Sequence, residues 1–535
     1  MPYRNPVIPG FYPDPSICRV GTDYYLTTST FSWFPGCPIF HSRDLVHWKQ
    51  IGHILERESQ LKLREPDTPI WDGIHAPTLR YHNGRFYCIT TNRIQGGNFI
   101  VSAERPEGPW SDPIWTDPKG WDPSLLFDED GKVYCQWTVS RDGSHGIHQY
   151  EIDPDTGEKK SDVRNIFTGT SSGGTEGPHL YHIGDYYYLL VAEGGTHWGH
   201  QVVFARSRSP WGPFEACPHG PALTHRDFRF HQQIQATGHA DLIQAHDGSW
   251  WLVCLGHRTF GWCVYASHHL GRETFLAPVD WTEDGWPRVH DGEQLQLAME
   301  TPTLPLQPEP QAEPRTHFNG SQLPLEWNFL RNPVAASWRL TDQVLELKGL
   351  PETLREPGCA MVGRRQQHAY VTATTSIEFA PASDNEEAGL AVFMDERHHS
   401  ALSLVSSEGK RFVRFQRTIG VLSVEVGRVE IPEGPIDLII EATPRWYAFG
   451  FCIDHQVRWV GAAETKYHST EIAWGWTGIY FCLFATGNGL PAATPARFRW
   501  FDYRPATDQT FTTDMNTAEA SLPDKQFLLP QPQDQ

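Results

Sequence analysis

The stretch EGPHLYHIGDYYYLLVA, residues 176–192, contains two short apolar strands joined by a turn at Gly184. This arrangement is typical of a β-hairpin, because glycine enters the left-handed turn conformation at little cost. Four other stretches repeat it, each with Pro or Ala just after an Asp or His: DPSICRVGTDYYLTTS (14–29), HAPTLRYHNGRFYCITT (75–91), DPSLLFDEDGKVYCQWT (122–138) and HADLIQAHDGSWWLVC (239–254). A strand-built unit repeated at roughly 50-residue intervals predicts a five-bladed β-propeller.

The acidic and histidine residues all lie at the start of the repeat. Radial symmetry therefore gathers them at one end of the central axis, and five positions that are distant in sequence are expected to form one site.

The composition narrows the class of partner. The net charge is −20, and no run of Lys or Arg is present, which disfavours nucleic acid and anionic membranes as partners. The chain carries 21 Trp, 18 Tyr and 28 Phe, which suits stacked sheets and sugar-facing surfaces. A carbohydrate partner is therefore expected, and the oligomeric state stays open, a homo-oligomer included.

The cysteines and the N-terminal residues bear on location. Ten cysteines form no CxxC pair, and several stand inside apolar strands, which favours buried reduced thiols and a reducing cytosol. No stretch approaches the ~18 apolar residues that span a bilayer. The first repeat begins at Asn5-Pro6, so this chain leaves no room for a signal peptide. A cytoplasmic location is expected; secretion stays open if a leader was removed.

Changes in composition along the chain also predict its domain boundaries. Residues 1–300 are predicted to form the propeller, and residues 301–316, with six prolines in TPTLPLQPEPQAEPRT, a semi-rigid linker. Residues 317–505 alternate apolar and polar residues in strands about ten residues apart, which predicts a second all-β module, a jelly-roll-like β-sandwich. Residues 506–535 are expected to form an extended tail.

Three carboxylates at the start of repeats suggest glycoside hydrolysis. That reaction needs one protonated carboxyl to donate to the leaving oxygen and one ionised carboxyl to activate water or attack. Asp14, Asp122 and Glu176 are predicted to lie close together, and neighbouring negative charge or burial raises a carboxyl pKa toward the working pH. Glu176 is flanked by glycines and has the longer side chain, so it is predicted to be the acid, and Asp14 the base.

These residues stand in motifs that closely resemble glycoside hydrolase family 43, in particular its two-domain β-xylosidases and α-L-arabinofuranosidases. The motifs are NPVIPGFYPDPSI with Asp14, WDPSLLFD with Asp122 and GGTEGPHLY with Glu176. The resemblance covers nearly the whole chain and implies a five-bladed propeller followed by a C-terminal β-sandwich. It implies inversion of the anomeric configuration, with Asp14 as base, Glu176 as acid and Asp122 tuning the pKa of the acid.

The resemblance extends to substrate-binding positions. It implies a substrate-binding arginine at Arg272, in LGRETF, and a hub histidine at His239, in ATGHADL. In some members the hub histidine helps to hold a divalent cation such as calcium, so His239 is also a candidate metal ligand, although no cofactor is required. Phe31, in TSTFSWFPG, is a candidate aromatic wall. Tyr480, in WTGIYF, matches the region where relatives insert an aromatic ring into the pocket.

One segment departs from the family pattern. Many family β-xylosidases have a tryptophan in GIWAP, where the ring forms a wall of the pocket, whereas this chain has His75 in GIHAP. An imidazole offers less stacking area and adds a polar edge, so the choice between xylopyranose and arabinofuranose stays open.

The expected function is an exo-acting, inverting glycosidase that releases terminal β-D-xylose or α-L-arabinofuranose from xylan-derived oligosaccharides. A debranching α-L-arabinofuranosidase is the alternative within the same chemistry. A propeller-plus-sandwich lectin that binds plant glycans without cleaving them is the alternative from another class, but binding alone needs no paired acids.

Overall fold

The computed structural model describes residues 2–65, 68–116, 119–141, 144–170, 172–227, 233–261, 266–300, 303–308 and 313–506. They form two compact units. The first contains the described residues of Met1–Leu63, Trp71–Thr259 and Arg272–Pro310, and the second those of Arg64–Ile70, Phe260–Gly271 and Gln311–Gln535. Within the described residues, no helix is long and apolar enough to cross a membrane.

The first unit is a propeller of five antiparallel blades, as the hairpin repeats predict. The strands, blade by blade, are Ser16–Val20, Asp23–Thr27, Gly36–Ser42 and Lys49–Leu55; Ile74–His82, Arg85–Asn92, Gly97–Ala103 and Ile114–Thr116; Trp121–Phe127, Val133–Arg141, Ser144–Glu151 and Arg164–Phe167; Glu176–Ile183, Tyr186–Glu193, Gln201–Ser207, Glu215–Ala216 and Leu223–Thr224; Ile234–Gln244, Trp250–Arg258, Glu273–Trp281 and Pro287–Val289. The short strand Trp33–Phe34 falls within the first repeat, and one turn of 3₁₀ helix, His290–Gly292, follows the last blade.

The blades close into a ring. The innermost strands of neighbouring blades contact one another, including Ile234–Gln244 of blade 5 against Ser16–Val20 of blade 1. Outside the blades, Pro2–Arg4 pairs with Ala298–Glu300, so the two ends of the unit are joined by backbone hydrogen bonds. The Asn5 side chain accepts from the Leu276 N–H and donates to the Leu276 carbonyl, both at 2.9 Å. These contacts hold the first and last blades together.

A buried polar network crosses the propeller axis. Asp241 of blade 5 accepts from the Ser16 hydroxyl of blade 1 at 2.7 Å and from Arg80 Nη1 of blade 2 at 2.8 Å. His179 of blade 4 lies 2.9 Å from Arg80 Nη2 and 3.1 Å from the Ser124 hydroxyl of blade 3. Ser16, Ser124 and Asp241 stand two positions after the start of their repeats, and His179 stands three positions after the start of its repeat. A layer of polar contacts from all five blades therefore fixes the hub.

The second unit is a β-sandwich of two antiparallel sheets. One sheet runs, in spatial order, Trp338–Thr341, Val344–Lys348, Pro495–Pro505, Val371–Glu378, Ile436–Ala442, Trp446–Ile453 and Gln456–Glu464, with Arg315–His317 also paired to Pro495–Pro505. The other runs Leu422–Glu430, Lys410–Ile419, His398–Ser407, Glu387–Asp395, Tyr480–Thr486, Ala360–Arg365 and Trp327–Leu330. Short helical turns are Ala335–Ser337, Thr465–His468 and Thr470–Ala473.

Aromatic pairs join the two sheets of this sandwich. Phe415 stacks on Phe449 with ring centroids 4.5 Å apart, and Trp327 meets Phe501 edge-on at 5.0 Å. All four residues are buried, so they form the core between the sheets. The all-β prediction of a propeller followed by a sandwich is confirmed.

The proline-rich segment and the tail are described only in part. Leu304 is buried, and the Gln307 N–H donates to Asp44 Oδ2 at 2.6 Å, so residues 303–308 pack on the first unit. Residues 301, 302 and 309–312 of the predicted linker, and residues 507–535 of the predicted tail, lie outside the described residues. The nine cysteines among the described residues are free thiols.

Candidate active site

A residue with a positive φ angle recurs at the start of each inner strand of the propeller. One residue in every blade has a positive φ: Asp14 (53°), Ala76 (37°), Asp122 (53°), Gly177 (59°) and His239 (44°). In blades 2 to 5 the pairing register shifts around this residue. Non-glycine residues with such angles are uncommon, and they concentrate at functional sites. Each register shift marks a β-bulge, so the inner strands of blades 2 to 5 share a bulge near their start.

The bulge corrects the expected equivalence of the three acids. Asp14 and Asp122 share the positive-φ position and are equivalent to each other, but Glu176 stands one residue earlier, directly before Gly177. His75 occupies the same earlier position in blade 2. The two positions project differently from the bulge, so the acids reach the hub from two different points of the repeat.

Asp14 is buried and paired with cations. Its Oδ1 lies 3.1 Å from Arg272 Nη1 and 3.7 Å from His239 Nδ1. Burial alone would raise the pKa of Asp14, but the Arg272 guanidinium, His239 and a hydrogen bond from Ser29 together bring that pKa below its usual value. Asp14 is therefore held as a carboxylate.

The pKa values of Asp122 and Glu176 are shifted in the opposite direction, upward. Burial, followed by the charge of Asp14, raises the pKa of Glu176 to about 7, although Arg272 and a hydrogen bond from Trp121 oppose the shift. Burial, followed by the charge of Glu176, raises the pKa of Asp122 well above its usual value. The two carboxyls are close enough to titrate as a pair, so near neutral pH the pair retains a proton.

The site thus combines an ionised carboxylate with a carboxyl that keeps its proton. Carboxyls whose environments push their pKa values apart are assigned to the base and acid roles of one reaction. Asp14 has the electrostatics of a base, and Glu176 has those of an acid.

His239 packs against the Glu176 strand. A Cβ added to Gly177 would lie 3.0 Å from His239 Nε2, so glycine allows the imidazole to approach the backbone beside the acid. Burial lowers the pKa of His239, which favours the neutral ring. Among the described residues, no group of three or more His, Cys, Asp and Glu side chains is arranged to hold a metal. His239 is the one candidate ligand that the sequence offers here, and calcium binding at this position stays a prediction.

Aromatic residues stand beside Asp14 and Arg272. The Phe31 ring stacks on Phe11 with centroids 5.7 Å apart, meets the His75 ring edge-on at 4.6 Å, and has the Arg272 guanidinium carbon 5.4 Å from its centroid. His75 Nε2 lies 3.0 Å from the Trp71 carbonyl oxygen. Burial lowers the pKa of His75 to about 3, so its imidazole is neutral. Phe31 and His75 therefore form one group with Arg272 and its partner Asp14.

Tyr480, the remaining predicted residue, belongs to the second unit. It begins the strand Tyr480–Thr486, is fully buried, and has the Arg365 guanidinium carbon 5.2 Å from its ring centroid. Within its unit it is a core residue, and its role in the pocket stays a prediction.

Sequence reasoning missed three site residues. Trp121 donates to Glu176, Thr196 accepts from Arg272 Nη1 at 3.3 Å, and the Ser29 hydroxyl accepts from the Ala76 N–H at 2.6 Å. Trp121 shares the repeat position of Glu176, so alignment on the bulge would have found it. Thr196 and Ser29 lie outside the repeated positions and carry no comparable signal.

Comparison with known proteins finds a matching family model for each half of the chain. Residues 3–287 match the model of glycosyl hydrolases family 43, and residues 315–504 match the β-xylosidase C-terminal concanavalin A-like domain. A non-reducing end α-L-arabinofuranosidase of Bacteroides ovatus is 43% identical over 94% of each chain. A β-xylosidase of Bacillus subtilis is 36% identical over 94% of this chain and 100% of its own.

Solved structures agree with these matches. The family 43 protein of the Bacteroides ovatus xyloglucan locus superposes with a TM-score of 0.89 at 42% identity, covering 95% of this chain and 100% of its own. A xylan β-1,4-xylosidase of Bacillus halodurans gives a TM-score of 0.87 at 36% identity, covering 94% and 100%.

Proposed function

This chain belongs to glycosyl hydrolases family 43, and on that premise we propose that it is an exo-acting, inverting hydrolase that releases terminal pentoses from xylan-derived oligosaccharides. The observation that carries the proposal is the opposite displacement of two carboxyl pKa values in one buried group: Asp14 is shifted down, and Glu176 is shifted up to about 7. A glycan-binding protein without catalytic activity would need no such pair.

The proposed reaction is a single displacement. Asp14 takes a proton from a water molecule, whose oxygen attacks the anomeric carbon while the glycosidic C–O bond breaks. Glu176 donates its proton to the departing oxygen, so the products are a free pentose of inverted configuration and a shortened alcohol. Water and two carboxyls are the only reactants besides the sugar, so the reaction needs no cofactor.

Arg272 and Asp122 support the two roles in different ways: one favours the ionised base and the other favours the protonated acid. Arg272, which contacts Asp14, keeps the base ionised and has guanidinium donors suited to sugar hydroxyls. Asp122 shares a buried environment with Glu176, and repulsion between two carboxylates keeps a proton on the pair until pH rises. We propose that Asp122 acts on the pKa and position of Glu176 rather than on the substrate.

Two pentoses are candidates for the terminal sugar. The relatives include a named β-xylosidase and a named α-L-arabinofuranosidase. A mainly α-L-arabinofuranosidase activity, debranching plant polysaccharides, is the alternative. His75, beside Phe31, stands where many family β-xylosidases carry tryptophan, which leaves the choice between the two sugars open. We therefore propose that both β-D-xylosides and α-L-arabinofuranosides are substrates.

The decisive assay compares nitrophenyl β-D-xyloside with nitrophenyl α-L-arabinofuranoside. We expect release of nitrophenol from at least one, and single pentoses as the first products from a xylo-oligosaccharide. Failure to hydrolyse both would overturn the proposal, and a ladder of internal fragments would overturn its exo-acting part. Unchanged rates after dialysis against EDTA are expected; a loss restored by calcium would instead support a cation near His239.

A cytoplasmic location is also proposed. It is supported by the free thiols of the nine cysteines among the described residues, most of them buried. Cell fractionation with activity measured in each fraction tests it, and activity confined to the medium or periplasm would overturn it.

A further inference from the structure

The sandwich unit has a cavity of its own, formed entirely by residues of that unit, with a volume of about 610 Å³. Its lining comes from five adjacent strands of one sheet, Leu422–Glu430, Lys410–Ile419, His398–Ser407, Glu387–Asp395 and Tyr480–Thr486, and from the segment 353–356 and Asn488. A volume of several hundred Å³ is in the range of pockets that hold small molecules or short oligomers.

The cavity lies over a part of the sheet where the side chains on that face are small. Ala401 lines the cavity, and the neighbouring strand offers Ala391 directly opposite Ala401 and Gly389 opposite Ser403. A Cβ added to Gly389 would lie 2.1 Å from the Leu402 carbonyl oxygen, so the chain admits only glycine there. Leu390 and Leu402, which alternate with these small residues, are fully buried core residues, so the bulky side chains fill the opposite face of the sheet.

The polar groups around this floor are held in place by one another. Gln416 Nε2 donates to the Ser423 hydroxyl at 2.9 Å, and the Thr418 and Ser423 hydroxyls are also 2.9 Å apart. These three side chains lie on two neighbouring strands, paired through Thr418 and Ser423. A set of amide and hydroxyl groups fixed in this way presents donors and acceptors in a defined pattern.

The charges at the cavity are compensated. Glu387, at one end, lies 2.5 Å from Arg414 Nη2 and 3.2 Å from the Asn488 amide nitrogen. Glu356 accepts from both the N–H and the hydroxyl of Thr353, at 2.9 and 3.1 Å. Burial lowers the pKa of the lining residue His399 to about 4, so its imidazole is neutral. Arg355 also lines the cavity, and its positive charge is opposite to that of the neighbouring Glu356, so with Glu387 paired to Arg414 the charges around the cavity balance and do not favour an ionic ligand of either sign.

A small-residue floor with the apolar ring of Phe484, and walls of amides and hydroxyls, match a neutral ligand that has both C–H surfaces and many hydroxyl groups. We propose that this cavity is a second carbohydrate-binding site, separate from the carboxylate site, that holds a neutral segment of the glycan on which the enzyme acts. The site is inferred from the sandwich alone; only the choice of xylan-type glycan rests on the proposed function.

Affinity electrophoresis tests the site without turnover. The full-length Glu176→Gln protein is run in native gels with and without soluble arabinoxylan, with xylose added to occupy the carboxylate site. We expect the glycan to retard this protein. Adding Gln416→Ala together with Ser423→Ala should weaken the apparent affinity at least fivefold, and adding Gln456→Ala, an exposed glutamine outside the cavity, should leave it unchanged.

Thr418→Val in the same background is a second variant, because it keeps the shape of a buried side chain and removes its hydroxyl; circular dichroism and melting temperature check the fold of each. Absence of retardation in the Glu176→Gln parent, or equal retardation in folded cavity variants, overturns the second site. Pentose release by the wild-type chain is measured separately, so a failed second site and a failed hydrolase proposal give different results.

Discussion

Arg272 Nη1 lies 3.1 Å from Asp14 Oδ1, and both side chains are more than nine-tenths buried. A buried carboxylate with a single close guanidinium depends on it for its charge, because burial opposes ionisation. This pair joins the first repeat of the propeller to its last blade, and it decides which of the three carboxyls is ionised.

Replacing this guanidinium should move the acidic limb of the pH–rate profile. Arg272→Ala removes the largest influence that lowers the pKa of Asp14, so that pKa rises and the base becomes protonated at a higher pH. We expect the acidic limb of kcat/KM to move up by ~1–3 pH units, and less in Arg272→Lys, which keeps the charge. Arg288→Ala, which breaks an exposed pair with Asp291, is the control. An unmoved limb in folded Arg272→Ala would show that Arg272 does not set the pKa of the base.

The two proton-transfer residues should each be essential. Asp14→Asn and Glu176→Gln keep the shape of the side chains but remove the base and the acid, and each should lower kcat by ~10²–10⁴-fold. Glu215→Gln, which changes the exposed partner of Arg206 in blade 4, should leave kcat within twofold of wild type. More than a tenth of the wild-type kcat in either site variant contradicts its assignment.

Asp122 has a separate prediction. Glu176 and Asp122 titrate as a pair, and the second proton leaves late because two buried negative charges repel each other. Asp122→Asn removes that repulsion, so the pKa of Glu176 falls and the acid loses its proton earlier. The basic limb should therefore move to lower pH, with a lower kcat. A lower kcat with an unmoved basic limb would show that Asp122 only positions its neighbours.

The hairpin strands of the propeller and the clustering of its three acidic residues could be predicted from the local sequence, and the reason is physical. Hairpin glycines such as Gly184 and Gly248 mark turns through backbone energetics, and repetition then implies radial symmetry, which needs no knowledge of contacts. The bulge was not predicted, because the residues with a positive φ differ from blade to blade, from Asp14 and Asp122 to Ala76 and His239, and share no residue type that marks it. The one-residue offset of Glu176 follows from that bulge.

The same reasoning could not predict contacts between residues that are far apart in the sequence. No periodicity marks the described residues of 64–70 and 260–271 as members of the second unit, because they group with residues far along the chain. Thr196 illustrates the same limit at the site, since its hydroxyl meets Arg272 from a loop with no repeated motif. Such contacts depend on the assembled fold, whereas patterning reports mainly on neighbours within one hairpin.

The stereochemistry of the product is the next prediction. Inversion requires room for water between base and substrate, with the carboxyls of Asp14 and Glu176 ~6.5–9.5 Å apart, whereas retention needs a closer nucleophile. Proton NMR of the first sugar released from a β-D-xyloside should show α-xylose before mutarotation. Early β-xylose would contradict inversion. A substrate-free sample with added β-xylose gives the mutarotation rate under the same conditions.

The last prediction concerns the neutral imidazole of His75, whose ring meets Phe31 edge-on at 4.6 Å and whose Nε2–H donates to the Trp71 carbonyl oxygen at 3.0 Å. If this ring lines the pocket, a furanose and a pyranose can both enter, and His75→Trp should change the ratio of arabinofuranosidase to xylosidase kcat/KM. The change should be at most ~10–200-fold, the range that altered apolar contacts support. His219→Trp, at an exposed histidine paired with Asp284, is the control for adding an indole. A ratio within twofold of wild type in a folded His75→Trp protein would show that His75 packs away from the sugar, and that selection between the two pentoses depends on other walls of the pocket.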